Sequence, residues 1–164
     1  MKIFYVKLDK SETEKLSRRE LKALQSGIGR KIIDYVGKNI YNLSETTVIE
    51  ENSKPKFLNS DIQFSISHSN EIIAVAFDDF PLGLDIEYMK DRDFEKLSGH
   101  YGINTKDKFE FYRQWTQLEA KIKIQSDIKN SYTDIFGEKY MLTIVSSNPD
   151  NLRVEFEEIK HYLK

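Results

Sequence analysis

The chain has 164 residues, with 25 basic side chains against 27 acidic ones, a net charge of −2 and no cysteine. That length fits one domain, or two small halves sharing a core. The near-even charge balance gives no global pull toward nucleic acid or an anionic membrane, and the lack of cysteine excludes disulfides and thiolate metal sites. His68, His100 and His161 are too widely separated in the chain to suggest a histidine zinc site. No apolar run approaches the ~20 residues that cross a bilayer. The opening "MKIFYVKLDK" lacks the apolar core of a signal peptide. These features predict a soluble, cytoplasmic protein.

The first predicted element is a strand, "IFYVKL", rich in β-branched and aromatic residues. Two overlapping capping boxes follow, Ser11 with Glu14 and Ser17 with Glu20, the second of which suits the start of a long helix. Leu21, Leu24, Ile28, Ile32, Tyr35 and Val36 then recur at helical spacing, with a break expected near "SGIG". "TTVIEEN" reads as a strand and "SKPKFLNSD" as a loop. "IQFSISHS" alternates like a half-buried strand, "EIIAVAFDD" like a fully buried one, and the turn "DDFP" leads into a third, "LGLDIE". After the charged loop "KDRDFEKLSGHYGINTKD", with Thr105 as a cap, a helix is predicted with Phe109, Phe111, Tyr112, Trp115, Leu118 and Ile122 along one side. The C-terminus reads as a hairpin of "KYMLTIVS" and "LRVEFEEI" about the turn "SNPDN". Each half thus offers a long helix followed by short strands. The expected fold is α+β, with two pseudo-symmetric halves, 1–80 and 81–164, each a long helix on a small antiparallel sheet, in one compact unit.

The stretch "PLGLDIEYMK" poses the functional question. Asp85 and Glu87 lie two apart on a strand, so both point the same way, roughly 7 Å apart at the backbone. Hard oxygen ligands without cysteine or histidine suit magnesium or manganese. The alternative is a solvated strand face. Glu119, in "FYRQWTQLEAKIK", falls four residues after Trp115, at or beside the apolar side of its helix. A carboxylate buried there needs a partner or a cation, and the competing reading is an ion pair with Lys123. His68 ends an alternating strand between Ser67 and Ser69, which point to the opposite face, so a Ser–His hydrolase is disfavoured. A phosphate contact or a backbone-satisfied histidine remain. Lys54–Pro55 and Arg30–Lys31 read either as solvated charge or as a clamp for nucleotide phosphates.

Taken in order, "KP", "FSISHS", "PLGLDIE" and "WTQLEAKIK" resemble the 4'-phosphopantetheinyl transferases, specifically the surfactin-synthetase-activator type. The likeness runs from Lys54 to about Lys123, with a softer match around Arg30. That family transfers the phosphopantetheine arm of coenzyme A to a serine of an acyl or peptidyl carrier protein and releases 3',5'-ADP. Carried over, the resemblance implies that Asp85, Glu87 and Glu119 bind magnesium, manganese being the other candidate, and that Glu119 is the base for the carrier serine. It implies that His68 and Lys123 hold phosphate oxygens, Arg30 meets the 3'-phosphate, and Lys54 and Pro55 border the adenine pocket, with Ser67 close by among the coenzyme A contacts. It also implies the pseudo-symmetric fold; both halves in one chain suggest a monomer, and the charge balance suggests no nucleic-acid or membrane partner. The chain departs from the pattern at Leu118, where a lysine is usual, at Ser53 for glycine, at Ser65 for asparagine, at Ala120–Lys121 for alanine and an aromatic, and in the short stretch between Glu87 and Trp115. Those departures bear on rate and carrier choice. They motivate an alternative, a homologue that binds coenzyme A or a carrier without turnover. A metal-dependent phosphohydrolase using the same carboxylates is the unrelated alternative.

Overall fold

Alternation along four chain segments builds the first sheet. The computed structural model describes residues 1–163, and of His100 the backbone alone. Strand β1 (Lys2–Lys7) pairs antiparallel with β5 (Ile72–Asp78), which pairs antiparallel with β4 (Gln63–Ser69). Even and odd positions of these strands serve two different cores. Phe4, Val6, Phe64, Ile73, Val75 and Phe77 face helix α2 (Arg18–Asn39), packing against Ile32, Ile33 and Val36. Ile3, Ile72, Ala74 and Ala76 face a second sheet, meeting Leu84, Ile86, Leu142 and Ile144.

That second sheet has the order β6-β8-β7, with β6 spanning Leu82–Tyr88, β7 Asn130–Phe136 and β8 Tyr140–Ser146, all antiparallel. Its far face is covered by helix α4 (Lys108–Ile124), where Ala120 and Ile124 pack on Val145. The layers therefore run helix, sheet, sheet, helix. A short helix α1 (Lys10–Thr13) precedes α2, and strand β2 (Val48–Glu51) leads to the middle of the chain. Among the described residues, no helix is long and apolar enough to cross a membrane.

The second capping box is the one that starts the long helix: Ser17 and Glu20 exchange backbone N–H bonds at 2.8 and 3.3 Å. Elsewhere the structure corrects the reading of local signals. No break occurs at "SGIG", because α2 runs through it with Gly29 pressed against Ile66: a Cβ there would lie 2.2 Å from the Ile66 Cδ1. "SKPKFLNSD" is not all loop, since β3 (Lys54–Phe57) pairs with β2. The charged segment holds helix α3 (Phe94–Tyr101), capped by Asp93 and anchored by Phe94 and Leu97 on Phe111 and Tyr112. Asp107, not Thr105, caps α4, accepting the Glu110 N–H at 2.8 Å.

The buried side of α4 also differs from the one its large apolar residues suggest. Phe111, Tyr112, Thr116, Ala120 and Ile124 are buried, whereas Phe109, Leu118 and Ile122 are 50%, 41% and 61% exposed. Small residues face the sheet because the helix lies so close to it. At the C-terminus, β8 forms its hairpin with β7, through a turn where Gly137 and Glu138 both adopt positive φ. The last strand, β9 (Glu155–Glu158), instead returns to the first sheet and pairs parallel with β1. Ile159 follows it into the α2 core, fully buried.

Candidate functional site

The glycine before the two carboxylates explains where they point. A Cβ at Gly83 would lie 2.1 Å from the carbonyl oxygen of Ala120 and 2.9 Å from the nitrogen of Ile124. Only glycine lets the helix backbone rest directly on the strand. By the period-two alternation of β6, Asp85 and Glu87 share this face, so α4, not water, covers the strand there. Asp85 is accordingly 4% exposed.

Helix α4 then sets its own side chains against the pair. Trp115, Glu119 and Lys123 recur at four-residue intervals, one turn apart on one side of the helix. Lys123 Nζ donates to Asp85 Oδ1 at 2.7 Å and to the Leu84 carbonyl at 3.0 Å. At the other end of the stripe, Trp115 shares a small pocket with Glu87. Glu119 lies between them, half-buried, with no hydrogen bond or ion pair to the described residues.

Strand β4 approaches the free edge of β6 from the other sheet, and serine hydroxyls bridge the gap. Ser65, Ser67 and Ser69 accept the N–H groups of Leu84, Ile86 and Tyr88 at 3.0, 3.2 and 3.0 Å. Ser67 Oγ donates to Asp85 Oδ1 at 2.9 Å, and Ser69 Oγ to Glu87 Oε2 at 2.8 Å. Burial pushes the Asp85 carboxyl above the usual range, against the opposing pull of Lys123 and Ser67. Its second oxygen, Oδ2, is buried and takes no hydrogen bond among the described residues.

A cavity of about 870 Å³ opens beside these groups, between α2, the β2–β3 hairpin and the β4–β6 seam. Arg30, Pro55, Ser67, His68, Asp85, Glu87 and Lys123 all line it, so the structure brings these candidate residues to one place. His68 faces the α2 side, where burial first and Lys123 next hold its imidazole below its ordinary value. Two candidates are placed otherwise. Lys54 spends its ammonium on the carbonyls of Leu82 and Ile124, both at 3.3 Å, tying the hairpin to β6 and to the end of α4. Burial lowers its pKa. Glu119 is not among the residues lining the cavity. Among the described residues, no group of three or more histidine, cysteine, aspartate or glutamate side chains is gathered as a metal cage.

The donor set nevertheless suits a hard divalent cation. An orphaned, buried carboxylate oxygen beside a second carboxylate fits an ion that takes one or two protein carboxylates and fills its remaining positions with water and phosphate oxygens. Sequence reasoning missed the polar wall of the cavity, Asp34, Thr46 and Glu50, and the roles of Ser65 and Ser69. The serine pattern was there to find: "FSISHS" places three hydroxyls on one face of a strand.

No family model matches the chain. A protein of Haemophilus influenzae, provisionally named a 4'-phosphopantetheinyl transferase, is 29% identical over 139 residues, covering 75% of this chain and 57% of its own. A 4'-phosphopantetheinyl transferase of Aneurinibacillus migulanus is 27% identical over 127 residues, covering 76% of this chain and 53% of its own. The chain thus spans a little over half the length of the curated relatives it matches. Ordered motifs and relatives agree: the likeness of this chain is to the 4'-phosphopantetheinyl transferase superfamily, and the surfactin-synthetase-activator type is compatible with it.

Proposed function

We propose that the chain transfers the 4'-phosphopantetheine arm of coenzyme A to a serine of an acyl or peptidyl carrier protein, releasing 3',5'-ADP. The carrying observation is the convergence of Arg30, Pro55, His68, Asp85, Glu87 and Lys123 on one cavity, with an unpartnered carboxylate oxygen beside it. Arg30 holds the 3'-phosphate and Pro55 borders the adenine, with Lys54 behind it on the hairpin. His68, held below its ordinary value, stays neutral near pH 7 and offers one ring N–H to a phosphate oxygen. Lys123 supplies a fixed positive charge on the pyrophosphate side. Asp85 and Glu87 would hold magnesium, or manganese in its place, and Glu119, on the stripe between Trp115 and Lys123, would be the candidate for a third ligand. The cation supplies charge neutralisation for the pyrophosphate when bound. Glu119 also takes the proton of the carrier serine, whose oxygen then forms the new bond to phosphorus as the bond to the 3',5'-ADP oxygen breaks.

Two pseudo-symmetric halves, 1–80 and 81–164, are part of this reading, and a shared chain order supports it. The orders β4-β5-β1 and β6-β8-β7 both follow a strand, a helix and a hairpin whose second strand returns to the first. With both halves in one chain, the protein acts as a cytoplasmic monomer and needs no nucleic acid or membrane.

Incubated with coenzyme A, magnesium and a panel of carrier proteins, the chain adds one phosphopantetheine mass to at least one carrier, read by mass spectrometry. Glu119→Gln lowers that rate by roughly 100-fold or more, the usual worth of a positioned base, without changing the circular-dichroism spectrum. No addition to any carrier by folded protein overturns the reading. Coenzyme A binding without transfer supports instead a binding homologue, which Leu118 at the usual lysine position favours. Release of nucleotide without a carrier supports a phosphohydrolase.

A further inference from the structure

Three serines of β4 do the same structural work, and two of them do something more. Ser65, Ser67 and Ser69 each accept one N–H from the edge of β6, so each helps join the sheets. A hydroxyl has one proton to give. Ser65 directs its proton to no carboxylate, whereas Ser67 gives its proton to Asp85 Oδ1 and Ser69 to Glu87 Oε2. In each case the N–H of the residue following the carboxylate fixes the hydroxyl, and the hydroxyl fixes one carboxylate oxygen. The other oxygen is left open: Asp85 Oδ2 is unpartnered, and Glu87 Oε1 takes no hydrogen bond from a described residue.

We infer that Ser67 and Ser69 are positioning residues for the two strand carboxylates, pinning one oxygen of each to the β6 backbone so that the other is presented to a divalent cation. The seam between the sheets thereby doubles as the outer support of the cation site. For Ser67 this differs from the adenine-side contact that the family resemblance implies, because its hydroxyl is fully engaged by Ile86, Asp85 and, at 3.3 Å, Lys123. The inference rests on the reading that Asp85 and Glu87 hold a divalent cation.

Titration of the full chain with Mn²⁺ in the presence of coenzyme A and no carrier, followed by electron paramagnetic resonance of the free ion, tests it without relying on turnover. Removing an outer-shell partner of a metal ligand typically weakens affinity by 10–100-fold, so Ser69→Ala binds Mn²⁺ at least about 10-fold more weakly. Ser69→Thr, which keeps the hydroxyl, stays within about threefold of the parent. Ser65→Ala loses the same kind of inter-sheet bond but binds Mn²⁺ as the parent does, which separates positioning from general loosening of the seam. Should Ser69→Ala not fold, Ser69→Cys, with its weak donor, takes its place. Equal affinities for parent and Ser69→Ala, or equal losses for Ser65→Ala and Ser69→Ala, overturn the inference alone. A parent that binds no Mn²⁺ overturns it together with the cation part of the proposed function.

Discussion

His68 shows how a side chain's surroundings set its chemistry at pH 7. Burial among the β4 and α2 side chains disfavours the imidazolium, Lys123 across the seam repels it, and Lys22 on α2 adds a smaller push the same way. The histidine's pKa therefore lies below its ordinary value of 6.5 in the folded protein. Between that lowered value and 6.5 the unfolded chain binds more protons than the folded one, so stability falls as the pH drops through the window. Urea midpoints measured from about pH 7.5 down to about pH 5, either side of the usual histidine range, fall more steeply for the parent than for His68→Gln. Parallel curves would remove the assignment. At this scale the acidic pair was legible because residues two apart on a strand share a face whatever the tertiary structure. The partners were not. That Lys123 serves Asp85 rather than Glu119, and that Lys54 serves two carbonyls, depends on how closely α4 approaches β6, which no local pattern encodes.

Elements were read well where one periodicity acted alone and poorly where contact distance decided. β4 and β6 alternate, β5 is an unbroken apolar run, and all three fall where expected. Helix α4 was assigned to its large apolar side because hydrophobic size usually marks the buried face. Here the tight approach over Gly83 requires Thr116 and Ala120 beneath the helix, and Thr116 bonds Thr143 at 2.8 Å where a bulky residue would not fit. Two glycines make this measurable. In Gly83→Ala the new methyl meets backbone, 2.1 Å from the Ala120 oxygen, and neither strand nor helix can yield without moving the other. Overpacking of that kind costs about 1–3 kcal/mol or more, and it displaces Glu119 and Lys123 with the helix. In Gly29→Ala the methyl meets the tip of Ile66, 2.2 Å away, which can rotate aside. A gain of up to ~1 kcal/mol in helix propensity offsets part of that cost. Chemical denaturation of both variants checks the order: Gly83→Ala is the less stable, and it alone loses Mn²⁺ affinity.

Besides their shared core, the two sheets are joined by two connections whose partners lie far apart in sequence. One is the serine seam between β4 and β6; the other is the return of the C-terminus, which puts β9 beside β1 and Ile159 into the α2 core. An alternating strand after "SNPDN" looked like the partner of the strand before it because nearest neighbours in sequence usually pair. The tighter turn at Gly137–Glu138 had already paired β8 with β7 on one side and β6 on the other, leaving no edge of β8 free. Coupling of this kind predicts that the halves unfold together. Ile159 is fully buried against the first-sheet core, while Trp115, the chain's one tryptophan, sits on the α4 side against Tyr101 and Phe111. Ile159→Ala removes about 2–5 kcal/mol by the usual cost of such a truncation. Its effect is felt at the opposite end of the molecule: the urea midpoint followed by Trp115 fluorescence falls by as much as the midpoint followed by far-ultraviolet circular dichroism. A tryptophan transition that stayed in place while the dichroism moved would mean that β6 and α4 hold together without the first sheet, and that the seam joins the halves only weakly.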